Sequence, residues 1–421
     1  MIHFCGVGGV GSALIVTHKR SASRRGGFAV FAVPTEGIVV NSKPDASEAP
    51  ILVLYGNRPQ PLVFGMAALA QQASGRPVEL LYLDDQESKV SIPLAARFQT
   101  MSLVRIRGKR GGSAFQRVSN GLLCIARFVK SIRRKRPHAV HAWNFDMLLA
   151  ALMARITGRK FKILYTMQDT REWMISPFVR PIERWAYRAV SLVFVTSRGF
   201  ENHLLRRFRL IPQKKRVVYT PNVPCADEFP DVVRHHSHND FTIGYFGFIR
   251  GREALETLVT AAEVARSNGV VVRLLFAGIG TETDFVRQTA EEKDFVQFLG
   301  PYKHEDIGSL YAQVDALYAI YDQSYDKRIH LAYRICESIN CGLPIIVAED
   351  THMAEVVAEY DVGVAVRFDD SEQLAAAVQE LAGSPDRRKE IAENCKHARP
   401  DFVFETYEGT IRQAYAEALA G

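Results

Sequence analysis

From residue 51 onward, short, wholly apolar runs alternate with longer stretches whose apolar residues recur every three or four positions. The runs Ile51–Tyr55, Val78–Leu83, Ala139–Trp143, Phe161–Thr166, Leu192–Thr196 and Val217–Tyr219 predict buried strands. The stretches 62–73, 121–135, 146–156, 178–190 and 199–207 predict helices between them. A polar segment, 223–240, with Pro224, Pro230 and the run His235-His236-Ser237-His238, interrupts the alternation and reads as a linker. The alternation then resumes with strands at 242–247, 271–276, 295–298, 315–320 and 345–348. A short strand or turn at Gly363–Val366 and a helix over Ser371–Leu381 follow, and 402–418 is an amphipathic helix. This order predicts an α/β chain of two doubly wound, Rossmann-like domains with parallel sheets, 51–222 and 241–401. The terminal segment 402–421 can cross back to the first domain. Ligands in such sheets sit beyond the carboxyl ends of the strands, so two facing sheets place both half-sites in one cleft.

Residues 1–50 lack this pattern and read as a flexible extension. Gly6-Val7-Gly8-Gly9-Val10-Gly11 fits G-x-G-x-x-G, but only Ile2–Cys5 precede it, and a basic Ser/Gly-rich segment follows where a helix is required. A dinucleotide-dependent oxidoreductase stays an alternative that deletion of 1–50 would test.

With 421 residues and 47% hydrophobic content, the chain is long enough for two packed domains. No apolar run approaches the roughly 18 residues of a spanning helix, and no secretory leader is evident at the N-terminus. The six cysteines are scattered, without a C-x-x-C pair or histidines at zinc spacing, so reduced thiols in the cytoplasm and no metal are expected.

The net charge of +7 conceals an asymmetry: 36 Lys and Arg against 16 Asp and Glu over residues 1–240, but 17 against 30 over 241–421. The basic residues concentrate in 101–136, where LLCIARFVKSIRRKRP mixes apolar and cationic positions. A basic amphipathic helix suits an anionic membrane surface, and equally an ordinary solvated helix with a basic C-terminal end. No nucleic-acid module accompanies the charge. The expectation is a cytoplasmic protein, peripheral on the inner face of the plasma membrane.

The richest candidate chemistry lies in YRICESINCGLPIIV (333–347): a helix carrying Glu337, a break at Cys341–Pro344 and a buried strand. A carboxylate there can accept hydrogen bonds from the two hydroxyls of a ribose, beside a helix N-terminus that can hold phosphate. Together with RVVYTPNV (216–223), FTIGYFGFIRGREALETLVTAA (241–262), LLFAGIGTETDF (274–285), FVQFLGPYKHEDIGSLYAQVDALYAIY (295–321) and AEVVAEYDVGVAV (354–366), this segment resembles glycosyltransferase family 4. The likeness covers roughly 135–415, and only weakly the residues from 51. It implies a GT-B fold and transfer of a hexosyl unit, with retention of configuration, from a nucleoside-diphosphate sugar to a lipid-linked or polysaccharide acceptor. Cell-envelope or exopolysaccharide assembly is the implied setting, with no cofactor. A nucleotide-sugar epimerase of related fold and a non-catalytic sugar-binding subunit are the alternatives.

On the matching positions, Glu337 is the ribose ligand, while Arg334, Arg250 and Arg252 face the diphosphate. Gly244 and Gly247 allow its close approach to the backbone. Many relatives carry a second glutamate eight positions before the first; here Ile329 stands there, and Asp322, Asp326 and His330 are the nearby polar candidates. Of these, Asp322 is expected at the donor sugar. Phe248 and Glu253 replace a usual Gly-Arg…Lys-Gly pair, and Gln168 replaces a usual histidine. On the acceptor side, His141 and Asp169 end strands and are expected to point into the cleft as the catalytic candidates.

Overall fold

The computed structural model describes residues 49–57, 59–84, 102–107, 114–157, 160–170, 178–208, 216–229, 240–303, 306–321 and 324–420. The glycine fingerprint at 6–11, the His235–His238 run and Asp322 lie outside them. The first sheet is formed by β1 (Ile51–Tyr55), β2 (Val78–Asp84), β3 (Ser102–Arg107), β4 (Ala139–Trp143), β5 (Lys162–Met167), β6 (Leu192–Val195) and β7 (Arg216–Tyr219). The helices among them are α1 (Pro61–Ser74), α2 (Ala114–Lys135), α3 (Asn144–Ile156), α4 (Arg180–Ala189) and α5 (Arg198–Phe208).

The second sheet comprises β8 (Phe241–Ile249), β9 (Val272–Gly280), β10 (Val296–Phe298), β11 (Ala316–Tyr318), β12 (Ile345–Ala348) and β13 (Gly363–Val366). With it go α6 (Arg252–Ser267), α7 (Thr283–Glu292), α8 (Ile307–Tyr311), α9 (Tyr325–Ile329), α10 (Tyr333–Cys341), α11 (His352–Tyr360), α12 (Ser371–Gly383), α13 (Pro385–Ala398) and α14 (Glu405–Leu419).

Every described strand pairing is parallel. The orders are β3-β2-β1-β4-β5-β6-β7 and β10-β9-β8-β11-β12-β13. Each order reverses once, between β1 and β4 and between β8 and β11, and a crevice opens at such a reversal beyond the strand ends. Both sheets belong to the one compact unit spanning Val40–Gly421.

The strands read as unbroken apolar runs because helices cover both faces. In the first sheet Leu52, Leu54, Val140 and Ile163 pack with Phe128, Leu148 and Ala186 under α2, α3 and α4. Ile51, Val53, Trp143 and Leu164 pack on the other face with Val63, Met66, Ile411 and Tyr415 from α1 and α14. The C-terminal helix therefore completes the core of the N-terminal half. Its last carbonyls receive the Lys162 ammonium, at 3.1 Å from Ala418 and 2.9 Å from Ala420, a cation suited to a helix C-terminus.

Two expectations change on this fold. The basic helix does not have a free apolar face: Cys124, Phe128 and Ile132, spaced four apart, are buried with α3 in the core. Only its outer side, with Leu122, Leu123, Arg127, Lys130, Arg133 and Arg134, is exposed. Part of the basic cluster before it forms β3, an edge strand with Ile106 buried and Arg105 outward. Among residues 223–229 of the expected linker, Val223, Cys225 and Phe229 are buried in the core. Among the described residues, no helix is long and apolar enough to cross a membrane.

His141 does not reach the cleft. It faces the α1/α14 side of β4, fully buried, with Nε2 2.6 Å from the Thr166 hydroxyl and Nδ1 2.8 Å from the Tyr415 hydroxyl. Burial pulls its pKa from 6.5 down to about 3. A proton there costs stability, so His141 is a core residue that anchors α14, and its catalytic assignment is withdrawn. Between pH 6.5 and about 3 the unfolded chain binds a proton that the folded chain refuses. The group's contribution to stability is complete above that window and falls by about 1.4 kcal/mol per pH unit within it. Urea titrations at successive pH should show this slope, and His141→Gln should lose it. Tyr415→Phe should cost about 1–3 kcal/mol at neutral pH by leaving an imidazole nitrogen unpartnered.

Candidate functional site

The carboxyl ends of the two sheets line one cleft of about 500 Å³. Tyr55 ends β1 and Asn57 and Gln60 follow it, Asn144 follows β4, Gln168 and Asp169 follow β5, and Thr196 and Asn222 follow β6 and β7. Phe246, Gly247, Phe248 and Arg250 come from the end of β8, Tyr302 from beyond β10 and Tyr321 from beyond β11. Asp326, Lys327 and His330 with the first turns of α10 complete the wall.

On the second-sheet side, Arg334 and Glu337 stand one turn apart on α10, both almost wholly buried and both facing the cleft. The Arg334 guanidinium donates to the carbonyl of Tyr318, 2.8 Å away at the end of β11, and to that of Phe246 on β8. It lies 4.0 Å from the ring centre of Tyr245 and 5.5 Å from that of Tyr321. Arg250 stacks on Tyr321 as well, at 5.1 Å. Among the described residues no carboxylate lies in ion-pair contact with either guanidinium, and the Nε of each is buried without a hydrogen-bond partner. Two cations therefore converge on Tyr321 with Glu337, one turn from Arg334, as the nearby buried carboxylate but in no direct ion pair, which is an environment for an anion.

The Glu337 carboxylate accepts from the Tyr311 hydroxyl at 2.7 Å. Burial and this carboxylate push the Tyr311 hydroxyl well above its ordinary pKa. They also push Tyr302 up to about 12, with Arg334 pulling the other way. Both phenols stay protonated and present donors beside Glu337.

Gly247 takes φ +110°, a conformation that L side chains rarely adopt. A β-carbon there would lie 3.6 Å from Arg334 Nη2, on the cleft floor. His330 closes the same wall. Burial and the Lys327 ammonium hold its pKa down, to about 4, so the ring is neutral. Nδ1 lies 3.1 Å from the Lys327 carbonyl, which can only accept. The hydrogen therefore sits on Nδ1, and Nε2 is left as an acceptor.

On the first-sheet side, Asp169 is half-buried at the cleft. Its loop is held by Asn144, whose Oδ1 accepts from the backbone amides of Gln168 at 3.1 Å and Asp169 at 3.2 Å. Asn144 has φ +63°, a left-handed conformation that asparagine tolerates better than most residues. The Gln168 side chain joins Tyr55 and Gln60, at 3.1 and 2.7 Å.

The structure thus brings Glu337, Arg334, Arg250, Gly247 and Asp169 to one cleft and leaves three expected residues outside it. His141 is in the core. Arg252 lies on the outer side of α6, half exposed, bonded to Glu256 at 2.6 Å and near Glu282, with its guanidinium 3.7 Å from the Phe285 ring centre. Gly244 lies inside β8, paired with Leu275 and Leu317. A β-carbon there would meet the Phe246 ring at 2.8 Å, so this glycine serves packing. Sequence reasoning missed Asn144, Tyr302, Tyr311 and Tyr321. An asparagine directly after a strand is a turn signal that would have found the first; the tyrosines come from separate elements and carry no local signal.

Residues 63–221 match the family model described as Glycosyltransferase Family 4, and residues 230–398 the one described as Glycosyl transferases group 1. A glycogen synthase of Mycobacterium tuberculosis (strain CDC 1551 / Oshkosh) is 22% identical over 300 residues, 69% of this chain and 71% of that protein. Among solved structures, the sucrose-phosphate synthase of Thermosynechococcus elongatus superposes with a TM-score of 0.65 at 16% identity, over 89% of this chain and 100% of that one. Anabaena HepE in complex with UDP-glucose superposes with a TM-score of 0.62 at 17% identity, over 89% and 100%. At these identities the structural likenesses speak for the fold.

Gly247→Ala should destabilise the chain by about 1–2 kcal/mol, the cost of placing a β-carbon in the left-handed region. Urea unfolding of the variant against the parent measures this.

Proposed function

Because the chain belongs to the group 1 glycosyltransferase family and has the GT-B fold, we propose that it moves a hexosyl unit from a nucleoside-diphosphate sugar to a lipid-linked or polysaccharide acceptor. The observation that carries the donor assignment is the pair of guanidinium groups, Arg250 and Arg334, converging on Tyr321 beside Glu337 at the N-terminus of α10. The diphosphate lies against them and the helix N-terminus, and the ribose hydroxyls donate to Glu337. HepE, with the same fold, is itself seen bound to UDP-glucose.

In transfer, the bond between the anomeric carbon and the phosphate oxygen breaks and a bond from the acceptor oxygen to that carbon forms. The acceptor proton passes to the departing diphosphate. Negative charge grows on the leaving oxygen as the bond breaks, and the two fixed guanidinium groups stabilise it without reorganisation. Attack occurs on the face the diphosphate leaves, with retention of configuration. Asp169, from the opposite wall, orients the acceptor hydroxyl or stabilises positive charge on the sugar. His330 Nε2 accepts from a hydroxyl of the donor sugar.

The acceptor is held at an anionic membrane surface, and the setting is envelope or exopolysaccharide assembly at the inner face of the plasma membrane. The outer side of the N-terminal half supports this. On α4, Ile182 and Trp185 are about half exposed and Phe178 before it is 88% exposed, among exposed Arg180, Arg184 and Arg188. The one acidic residue of α4, Glu183, is buried. Apolar side chains ringed by cations suit an anionic bilayer.

Calorimetry with UDP, GDP, ADP and dTDP tests the donor site. One diphosphate should bind, and Glu337→Ala should weaken it about tenfold or more, the loss of charge-assisted hydrogen bonds to ribose. Binding of none, by folded protein, contradicts the assignment. Sedimentation with vesicles containing anionic lipid tests the surface. Ile182→Glu/Trp185→Glu should abolish binding and leave diphosphate affinity unchanged; equal binding by parent and variant contradicts the α4 face.

A further inference from the structure

The segment from Ser324 to Leu331 leaves the second sheet, lines the cleft and runs into α10 with Arg334 and Glu337, yet its outer side is bonded to the N-terminal half. Asp326 is 7% exposed. Its Oδ1 accepts from the backbone amide of Thr170 at 2.5 Å and from the Thr170 hydroxyl at 3.0 Å. Its Oδ2 pairs with the Lys327 ammonium at 2.6 Å. Three residues on, the Ile329 carbonyl accepts from the Ser197 hydroxyl at 2.6 Å. Gly199 permits this approach, since a β-carbon there would fall 2.0 Å from that carbonyl oxygen.

Thr170 directly follows Asp169. The peptide bearing Asp169 is therefore held from two sides: by Asn144 within its own half, and through Thr170 by a carboxylate of the opposite half. A buried carboxylate accepting from an amide and a hydroxyl, with an ammonium beside it, is satisfied in this geometry and leaves donors unpaired in any other.

We propose that Asp326 is a positioning residue for transfer: its bonds to Thr170 fix Asp169 relative to the donor-binding end of α10, so that occupation of the donor site and placement of Asp169 are coupled. This rests on the transferase reading for its kinetic consequence, but the coupling itself is a property of binding and backbone protection. It predicts that Asp326 acts through Thr170, which is buried behind the cleft wall and does not line it.

The test uses the full chain and the nucleoside diphosphate it binds best. In the parent, the diphosphate should slow hydrogen exchange of the peptide spanning 165–170. In Asp326→Ala that peptide should exchange faster, and the diphosphate should no longer slow it, while its affinity stays within about twofold. With a transferase assay, Asp326→Ala should lower kcat by about 10- to 100-fold, the scale expected for a misplaced catalytic group, with the donor KM nearly unchanged. Asp326→Asn, which keeps one acceptor, should recover part of this. Thr170→Val should lower kcat in the same sense, and the double variant should be no worse than Asp326→Ala alone.

Three results overturn the proposal. A silent Thr170→Val beside an impaired Asp326→Ala means that Asp326 touches the sugar directly. Additive effects in the double variant mean that the two residues act separately. Unaltered exchange at 165–170 in Asp326→Ala means that the bond does not hold the loop. A parent chain that binds no diphosphate removes the donor reading instead, and the exchange comparison between the apo parent and Asp326→Ala still decides whether the bond holds the loop.

Discussion

A buried positive charge organises the C-terminal half. Arg334 is withdrawn from water between the ends of β8 and β11, where the strand order of the second sheet reverses. A guanidinium cannot lose its proton there, so it must be satisfied by its surroundings. Two carbonyls, from Phe246 and Tyr318, and the faces of Tyr245 and Tyr321 do this. The same bonds lock α10 against both strands and aim its N-terminus, with Glu337, into the cleft. Arg250, stacked on the same tyrosine, adds a second cation. The proposed diphosphate would supply the anion for these two cations, which lack a direct carboxylate partner among the described residues.

The N-terminal half contributes a wall built from hydrogen bonds between neutral groups and one carboxylate. Asn144, in a left-handed turn, presents one oxygen to two amides and fixes the loop of Asp169. The segment 324–331 spans the two walls. Bonds at Thr170 and Ser197 seat it against the ends of β5 and β6, and its inner side faces the cleft. A nucleotide held at α10 and an acceptor held at Asp169 would thus be linked through this segment.

Much of this was legible in the residues. Parallel sheets covered on both faces need continuous apolar strands, so ILVLY, AVHAW and PIIVA announce themselves, and residues just past strand ends are where ligands are met. Asp169, Gly247 and Arg250 follow from that rule. The same rule failed for His141, because position along a strand does not say which face a side chain takes. Ala139, His141 and Trp143 alternate together onto the α1/α14 face, and the histidine's partner, Tyr415, is 274 residues away. Arg252 failed by a turn of helix: α6 begins at it and points it outward. The basic helix misled because an apolar stripe looks the same whether it packs on a neighbouring helix or on lipid, and only the contacts of Phe128 and Ile132 decide. The pairing of Thr170 with Asp326, 156 residues apart, has no local trace.

The central claim is that Arg250, Arg334 and Glu337 together form a nucleoside-diphosphate site. A crystal structure of the chain with the diphosphate it binds best tests this most directly. The account predicts both phosphates in contact with the two guanidinium groups and the first turn of α10, with the ribose hydroxyls on Glu337. A diphosphate found elsewhere in the cleft, with Glu337 bonded only to Tyr311, would contradict it.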